Sequence, residues 1–161
     1  MKTVKGFTLI ELLIVIAIIS MTMAIGLPSF QSITESTRLT SATNSMVSSL
    51  QLARMEALKQ HKTVVIRKKT TGWQNGWSIF VDNQVTNNII DVNEPILVIT
   101  SADAVNSTIS IQSTYTNYVA YTANGRVNTA GHITFCSSTD FRKVVIAPTG
   151  RIHVETPTSC N

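Results

Sequence analysis

The chain has 161 residues, the size of one ordinary domain, with 43% hydrophobic and only 14% charged residues and a formal net charge of +4. That balance excludes intrinsic disorder, and two cysteines are too few for a zinc site of their own or for a dense disulfide scaffold. No GxxxxGK(S/T) or HExxH stretch occurs, and His61, His132 and His153 are scattered without a GxSxG setting, so neither an enzyme nor a cofactor is expected.

The apolar content is concentrated at the start. Phe7 to Leu27 carries one charge, Glu11. As a helix this run measures about 31 Å, enough to cross a bilayer core. Lys2 and Lys5 precede it with no acidic residue, which places the N-terminus in the cytoplasm. A plain signal anchor, or a secretory signal cleaved near Thr22-Met23-Ala24, accounts for the run but not for Glu11. A carboxylate deep in a membrane costs on the order of 2.5–3.5 kcal/mol on insertion scales, so it implies a partner.

Lys5-Gly6-Phe7-Thr8-Leu9-Ile10-Glu11-Leu12 resembles the class III prepilin signal of type IV pilins and type II secretion pseudopilins. The resemblance implies cleavage after Gly6 by the prepilin peptidase and methylation of the new N-terminal residue, Phe7. It also implies that Glu11, then the fifth mature residue, meets the amine of a neighbouring subunit during filament assembly. The expected divisions are a leader over 1–6, a transmembrane assembly helix over 7–28 and a soluble pilin-like domain over 29–161.

Gly26 and Pro28 are expected to break or kink the helix. Beyond them Leu39, Ala42, Met46, Leu50, Ala53 and Ala57 recur at spacings of three and four, the stripe of an amphipathic helix ending near Gln60. That stripe reads as a core face packed on a sheet. Arg54, Lys59 and Lys62 gather near the helix end, where cations complement the dipole.

From residue 63 the chain reads as short strands: Thr63–Arg67, Trp77–Asp82, Ile96–Ile99, Thr108–Gln112, Tyr118–Thr122, His132–Cys136, Lys143–Ala147 and Gly150–Val154. Gly72 and Asn75-Gly76 signal turns, and Asn124-Gly125 and Pro148-Thr149-Gly150 signal hairpin loops. The fold class is α+β, one long N-terminal helix followed by antiparallel sheet. Asp82, Asp91, Glu94 and Asp103 form an acidic stretch without EF-hand spacing, expected to be a solvated face, with a loose calcium site as the competing reading.

Ala53-Arg54-Met55-Glu56-Ala57, then Gly76-Trp77-Ser78-Ile79-Phe80-Val81-Asp82, Phe135-Cys136 and Pro148-Thr149-Gly150-Arg151 resemble the FimT and GspH branch of the pilin family. This implies two antiparallel sheets packed on the C-terminal half of the helix. It also implies a minor pilin of a type IV pilus, with a minor pseudopilin of a type II secretion system as the alternative. The partners implied are other pilins, the prepilin peptidase and the inner membrane, with the domain periplasmic and later in the filament or at the cell surface. Cys136 and Cys160 are expected to form a disulfide there, a reactive or metal-binding pair being the competing reading.

Removal of Lys2 and Lys5 takes the 13 basic residues to 11 against 9 acidic ones, a mature net of +2. Thr70 to Gly125 contains no Lys or Arg, whereas Arg126, Arg142, Lys143 and Arg151 follow. The resemblance to FimT-type proteins implies DNA contact through a C-terminal Gly-Arg-x-Arg, here Gly150-Arg151-Ile152-His153. As a strand, Arg151 and His153 would share a face about 6.7 Å apart, with Ile152 and Val154 turned to the core. His153 replaces the second arginine and is mostly neutral at pH 7. The candidate DNA contacts are therefore Arg126, Arg142, Lys143, Arg151 and His153, alongside an ordinary solvated face or a pilin-docking surface.

Overall fold

The computed structural model describes residues 6–69, 72–83, 87–92, 94–101 and 108–160, the side chains of 25–29 excepted. The chain divides into two units, Met1–Glu35 and Ser36–Asn161.

One helix, α1, runs over Leu9–Gln60. It continues through Gly26 and Pro28, so no break occurs there; the proline costs one backbone hydrogen bond without ending the helix. In the first unit the side chains from Phe7 to Ala24 are exposed. Among the described residues no helix is long and apolar enough to cross a membrane. The described apolar side chains end at Ala24, and the sequence carries the run on to Leu27. Hydroxyls along the helix bond back to its own carbonyls: Ser20 Oγ to Ile16 O at 2.7 Å, Thr22 Oγ1 to Ile19 O at 2.9 Å and Thr34 Oγ1 to Phe30 O at 2.9 Å.

In the second unit eight strands follow the helix: β1 Thr63–Lys69, β2 Gly72–Asp82, β3 Ile96–Ser101, β4 Ser110–Ser113, β5 Tyr118–Tyr121, β6 Gly131–Cys136, β7 Phe141–Ile146 and β8 Ile152–Glu155. They form two antiparallel four-stranded sheets, ordered β3-β2-β1-β5 and β4-β6-β7-β8. The predicted helical stripe is the core face: Leu39, Ala42, Met46, Leu50, Ala53 and Ala57 are all fully buried. Against it lie Val64, Ile66, Trp77 and Ile79 of the first sheet and Ile133, Phe135, Val144 and Ile146 of the second, in one continuous cluster. Full burial of a Leu, Ile or Phe side chain contributes about 1.5–3 kcal/mol, so this cluster carries most of the stability. The two tryptophans satisfy their indole N–H groups inside it, Trp77 on Ser49 Oγ at 2.9 Å and Trp73 on the Tyr115 carbonyl at 3.1 Å.

Gly72 and Asn75-Gly76 are not turns. Both lie within β2, whose pairing with β1 shifts register between Lys68 and Lys69. Gly76 pairs with Ser101 of β3, and a Cβ on it would overlap the Thr100 carbonyl oxygen. Glycine serves there for close backbone approach. The two predicted hairpin loops are present: Gly125 N–H donates to Thr122 O and Gly150 N–H to Ala147 O, both at 2.8 Å.

Cys136 and Cys160 form a disulfide with their Cα atoms 5.8 Å apart. Because β7 lies between β6 and β8, the tail beyond β8 returns across the sheet to reach Cys136. Cys136 and Thr134 point to the face opposite Ile133 and Phe135, and both are buried there.

Candidate functional site

Two regions carry the residues singled out by sequence. At the N-terminus, Gly6 and Phe7 precede the helix, and Phe7 is 83% exposed. Thr8 and Glu11 cap it. Glu11 N–H donates to Thr8 Oγ1 at 3.3 Å, and Thr8 N–H donates to Glu11 Oε2 at 3.3 Å. This reciprocal pair is a capping box, with Thr8 at the N-cap and Glu11 three residues on. Glu11 therefore has a structural duty within its own chain, which the Thr-x-x-Glu spacing before an apolar run signals and the sequence reading passed over. Lys2 and Lys5 lie outside the described residues.

The second region is built from two turns with one bonding pattern. In residues 122–126, Thr122 N–H donates to Arg126 O at 2.9 Å; in 147–151, Ala147 N–H donates to Arg151 O at 2.9 Å. Gly125 and Gly150, both at positive φ, stand fourth in each turn. The turns touch. A Cβ on Gly150 would overlap the Gly125 carbonyl oxygen and lie 3.2 Å from Arg54 Nε. Arg54 reaches from α1 to donate through Nη2 to the Thr149 carbonyl at 3.2 Å. Its Nε is buried without a partner, as is the Tyr121 hydroxyl, and burial pushes the Tyr121 phenol well above its ordinary range. Arg126 and Arg151, each directly after its glycine, are both exposed. Contact between the turns thus brings the backbones that carry Arg126 and Arg151 together, with Arg54 bonded to one of the turns. Arg54 was read from sequence as a helix-end cation; only the tertiary contact moves it into this group.

The other candidates stand beside carboxylates. Arg142 Nη1 pairs with Asp140 Oδ1 at 2.6 Å and donates to the Phe141 carbonyl at 2.9 Å. His153 Nε2 sits 3.0 Å from Glu155 Oε1, two residues along β8. Lys143 stands opposite Glu155 in the β7–β8 register. His132, on β6, is lowered from its ordinary pKa by burial and then by the Lys143 charge. The four-cation patch read from sequence is therefore partly neutralised, since Arg142 is paired and Lys143 faces a carboxylate. Arg151 and His153 do alternate with Ile152 and Val154, but Val154 is 45% exposed because β8 is an edge strand.

The acidic stretch is also not a solvated face. Asp82 and Glu94 are only 4% and 7% exposed, while Asp103 lies outside the described residues. Among the described residues, no group of three or more His, Cys, Asp or Glu side chains is placed to hold a metal ion.

Comparison with known proteins gives these features a context. A family model described as type II transport protein GspH matches residues 42–150, and one described as the prokaryotic N-terminal methylation motif matches residues 1–27. Two fimbrial proteins of Pseudomonas aeruginosa are each 48% identical over 65 residues, which is 40% of this chain and 42% of theirs. The chain thus spans less than half the length of the curated relatives it matches. The crystal structure of the type IV minor pilin FimU of P. aeruginosa superposes with a TM-score of 0.66 at 25% identity, covering 80% of this chain and 99% of that one. A second crystal form of FimU gives 0.60 at 24% identity, covering 76% and 99%.

A methylation motif, a long helix and two antiparallel sheets on its second half define a pilin-type filament subunit, a structural class and not an enzymatic one. Within that class the chain belongs to the GspH family, which takes in type IV minor pilins and pseudopilins.

Proposed function

We propose that this chain is a minor pilin, cut after Gly6, methylated at Phe7, and held by residues 7–28 in the inner membrane with its sheet domain periplasmic until it enters a type IV pilus. The observation that carries this reading is the Gly6-Phe7 junction immediately before a capped helix whose second half is the core of the sheet domain. Glu11 sets assembly by meeting the amine of a neighbouring subunit. Intact-mass and N-terminal analysis of protein from its native host tests the processing step. The expected mature chain begins at N-methyl-Phe7; a chain starting near Ile25 overturns the proposal. The GspH match supports a second reading, a minor pseudopilin of a type II secretion system, which shares the same anchor.

The exposed arginines of the two touching turns support DNA capture as an added role. Arg126 and Arg151, with Arg54 behind them, offer two or three phosphate contacts, for a log–log salt slope of about −1.8 to −2.7 on duplex DNA. Binding of this kind is indifferent to sequence, because phosphate contacts carry no base information. Arg151→Gln should weaken binding to labelled duplex, whereas Arg142→Gln, already paired with Asp140, should change it little. Equal losses from both variants, or no binding at low salt, refute the role.

A further inference from the structure

The face of the first sheet opposite the main core carries a small cluster of its own: Val65, Phe80 and Ala120 are buried there, with Tyr118 packed against them. One row further along the strands, the register sets three unlike side chains side by side. Ser78 of β2 stands opposite Arg67 of β1, and Arg67 stands opposite Tyr118 of β5. Each lies two residues from a member of the small cluster, so alternation puts the row on that same face. Directly opposed side chains on neighbouring strands have Cβ atoms about 4.5–5.5 Å apart, so hydroxyl, guanidinium and aromatic ring form a continuous strip.

Two cavities adjoin the strip. One, of about 350 Å³, is lined by Arg67, Lys68, Lys69, Ser78 and Asn117, with Ile89 and Ile90 also on its wall. The other, of about 240 Å³, has Thr116, Asn117, Tyr118, Asn128 and Thr129 on its wall and, among the described residues, no charged side chain. Asn117 belongs to both, and its carbonyl accepts the Lys68 N–H at 3.0 Å, which ties the shared wall to β1. Among the described residues, no acidic side chain lines either cavity, and Arg67, Lys68 and Lys69 stand in no ion pair. Arg67 is steadied by donating through Nη1 to the Asn88 carbonyl at 2.6 Å, which uses one of the five N–H groups of a guanidinium. The groove is positive at one end and neutral at the other, where hydroxyls and amides predominate.

We propose that this groove binds a saccharide carrying one anionic group, a carboxylate or a phosphate. The Arg67 guanidinium takes the anion, with Lys69 on the same wall. The sugar ring lies against Tyr118, and its hydroxyls exchange hydrogen bonds with Thr116, Asn117 and Asn128. Together the two cavities fall within the range of about 300–1,000 Å³ usual for small-molecule sites. The charge asymmetry selects this class over a nucleic-acid strand, which brings a phosphate with every nucleotide and calls for cations along its whole track. Here the cations stop at the Asn117 wall. The groove shares no residue with the two arginine turns, and the proposal rests on neither the filament nor the DNA reading.

The test uses the isotope-labelled full chain in detergent at pH 7.5 and low salt, titrated with glucuronic acid, glucose 6-phosphate, glucose and inorganic phosphate, and followed by protein chemical shifts. The acidic sugars should bind roughly tenfold more tightly than glucose or phosphate alone, with shifts centred on residues 67–69 and 116–118. Arg67→Gln should weaken them about tenfold, the loss of one charge-assisted contact. Lys69→Gln, which leaves the Arg67–Asn88 bond in place, should weaken them too while leaving the glucose response unchanged. Acidic sugars that bind no better than glucose, or no better than phosphate, overturn the proposal. So do affinities that both variants leave unchanged. A short oligothymidylate that binds these residues more tightly than either acidic sugar also overturns it, because the strip would then be a single-stranded nucleic-acid surface.

Discussion

Replacing Gly150 by alanine should do more damage than replacing its contact partner Gly125, although both sit at positive φ, 77° and 71°. The left-handed conformation alone costs an alanine roughly 1–2 kcal/mol at either position. The surroundings then separate the two cases. At Gly125 the new methyl meets Leu58 side-chain carbons at 3.0–3.2 Å, the end of a flexible group on an exposed residue that can rotate away. At Gly150 it overlaps the backbone carbonyl oxygen of Gly125, which cannot move unless one turn shifts against the other. Displacing a turn strains its paired hydrogen bonds and the Arg54–Thr149 contact, each worth about 0.5–1.5 kcal/mol. We therefore expect Gly125→Ala to cost about 1–2 kcal/mol and Gly150→Ala about 3–4 kcal/mol. Urea unfolding followed by tryptophan fluorescence, with Trp73 and Trp77 in the core, measures both. Equal losses would refute the reasoning, since they would mean that the turns do not bear on each other.

Three further outcomes are expected. Replacing Cys136 and Cys160 together by serine opens a loop of 24 residues' separation and should lower stability by about 3.5 kcal/mol in the chain-entropy account, measured by denaturant melts with and without reductant; an unchanged midpoint would contradict the tail's anchoring role. Glu11→Gln keeps the capping-box acceptor and Glu11→Ala removes it, so helix content should fall only in the alanine variant while filament incorporation falls in both. Filaments that accept the glutamine variant at normal levels would show that capping, not charge, is what assembly requires. Because His132 binds its proton less readily when folded, it contributes full stability above its unfolded pKa near 6.5, and that contribution is lost as pH falls from there toward the lowered folded value. Unfolding midpoints between pH 7.5 and 5 should therefore decline less steeply in His132→Gln than in the wild type.

The parts of the molecule governed by period were legible in the sequence. Leu39 through Ala57 repeat at helical spacing and all six are buried; all eight predicted strands are present, with ends displaced by up to five residues, the largest at the start of β2. Gly72 and Gly76 were misplaced because the residue that permits a turn also permits two backbones to approach within a sheet, and only the partner strand decides between them. The burial of Asp82 and Glu94 was hidden because their neighbours are polar, and the loop's own backbone N–H groups, rather than apolar side chains, hold those carboxylates in place. At the basic site the sequence supplied Arg126 and Arg151 but not the contact between their turns. That depends on two glycines 25 positions apart, and Arg54 joins them from a helix whose surface pattern gives no hint of it.

The hydroxyls of the first unit bear on how such a helix changes surroundings. Ser20 and Thr22 return their hydrogens to carbonyls one turn back, so neither needs water or a neighbouring chain for its donor. If the segment passes from lipid into a filament as proposed above, these donors keep the same acceptors throughout. Under the proposed assembly role, the group that changes partner is the Glu11 carboxylate, which is exposed and accepts from Thr8. On that proposal the segment would exchange one apolar medium for another at little polar cost, leaving Glu11 as the one charged group whose surroundings must be matched.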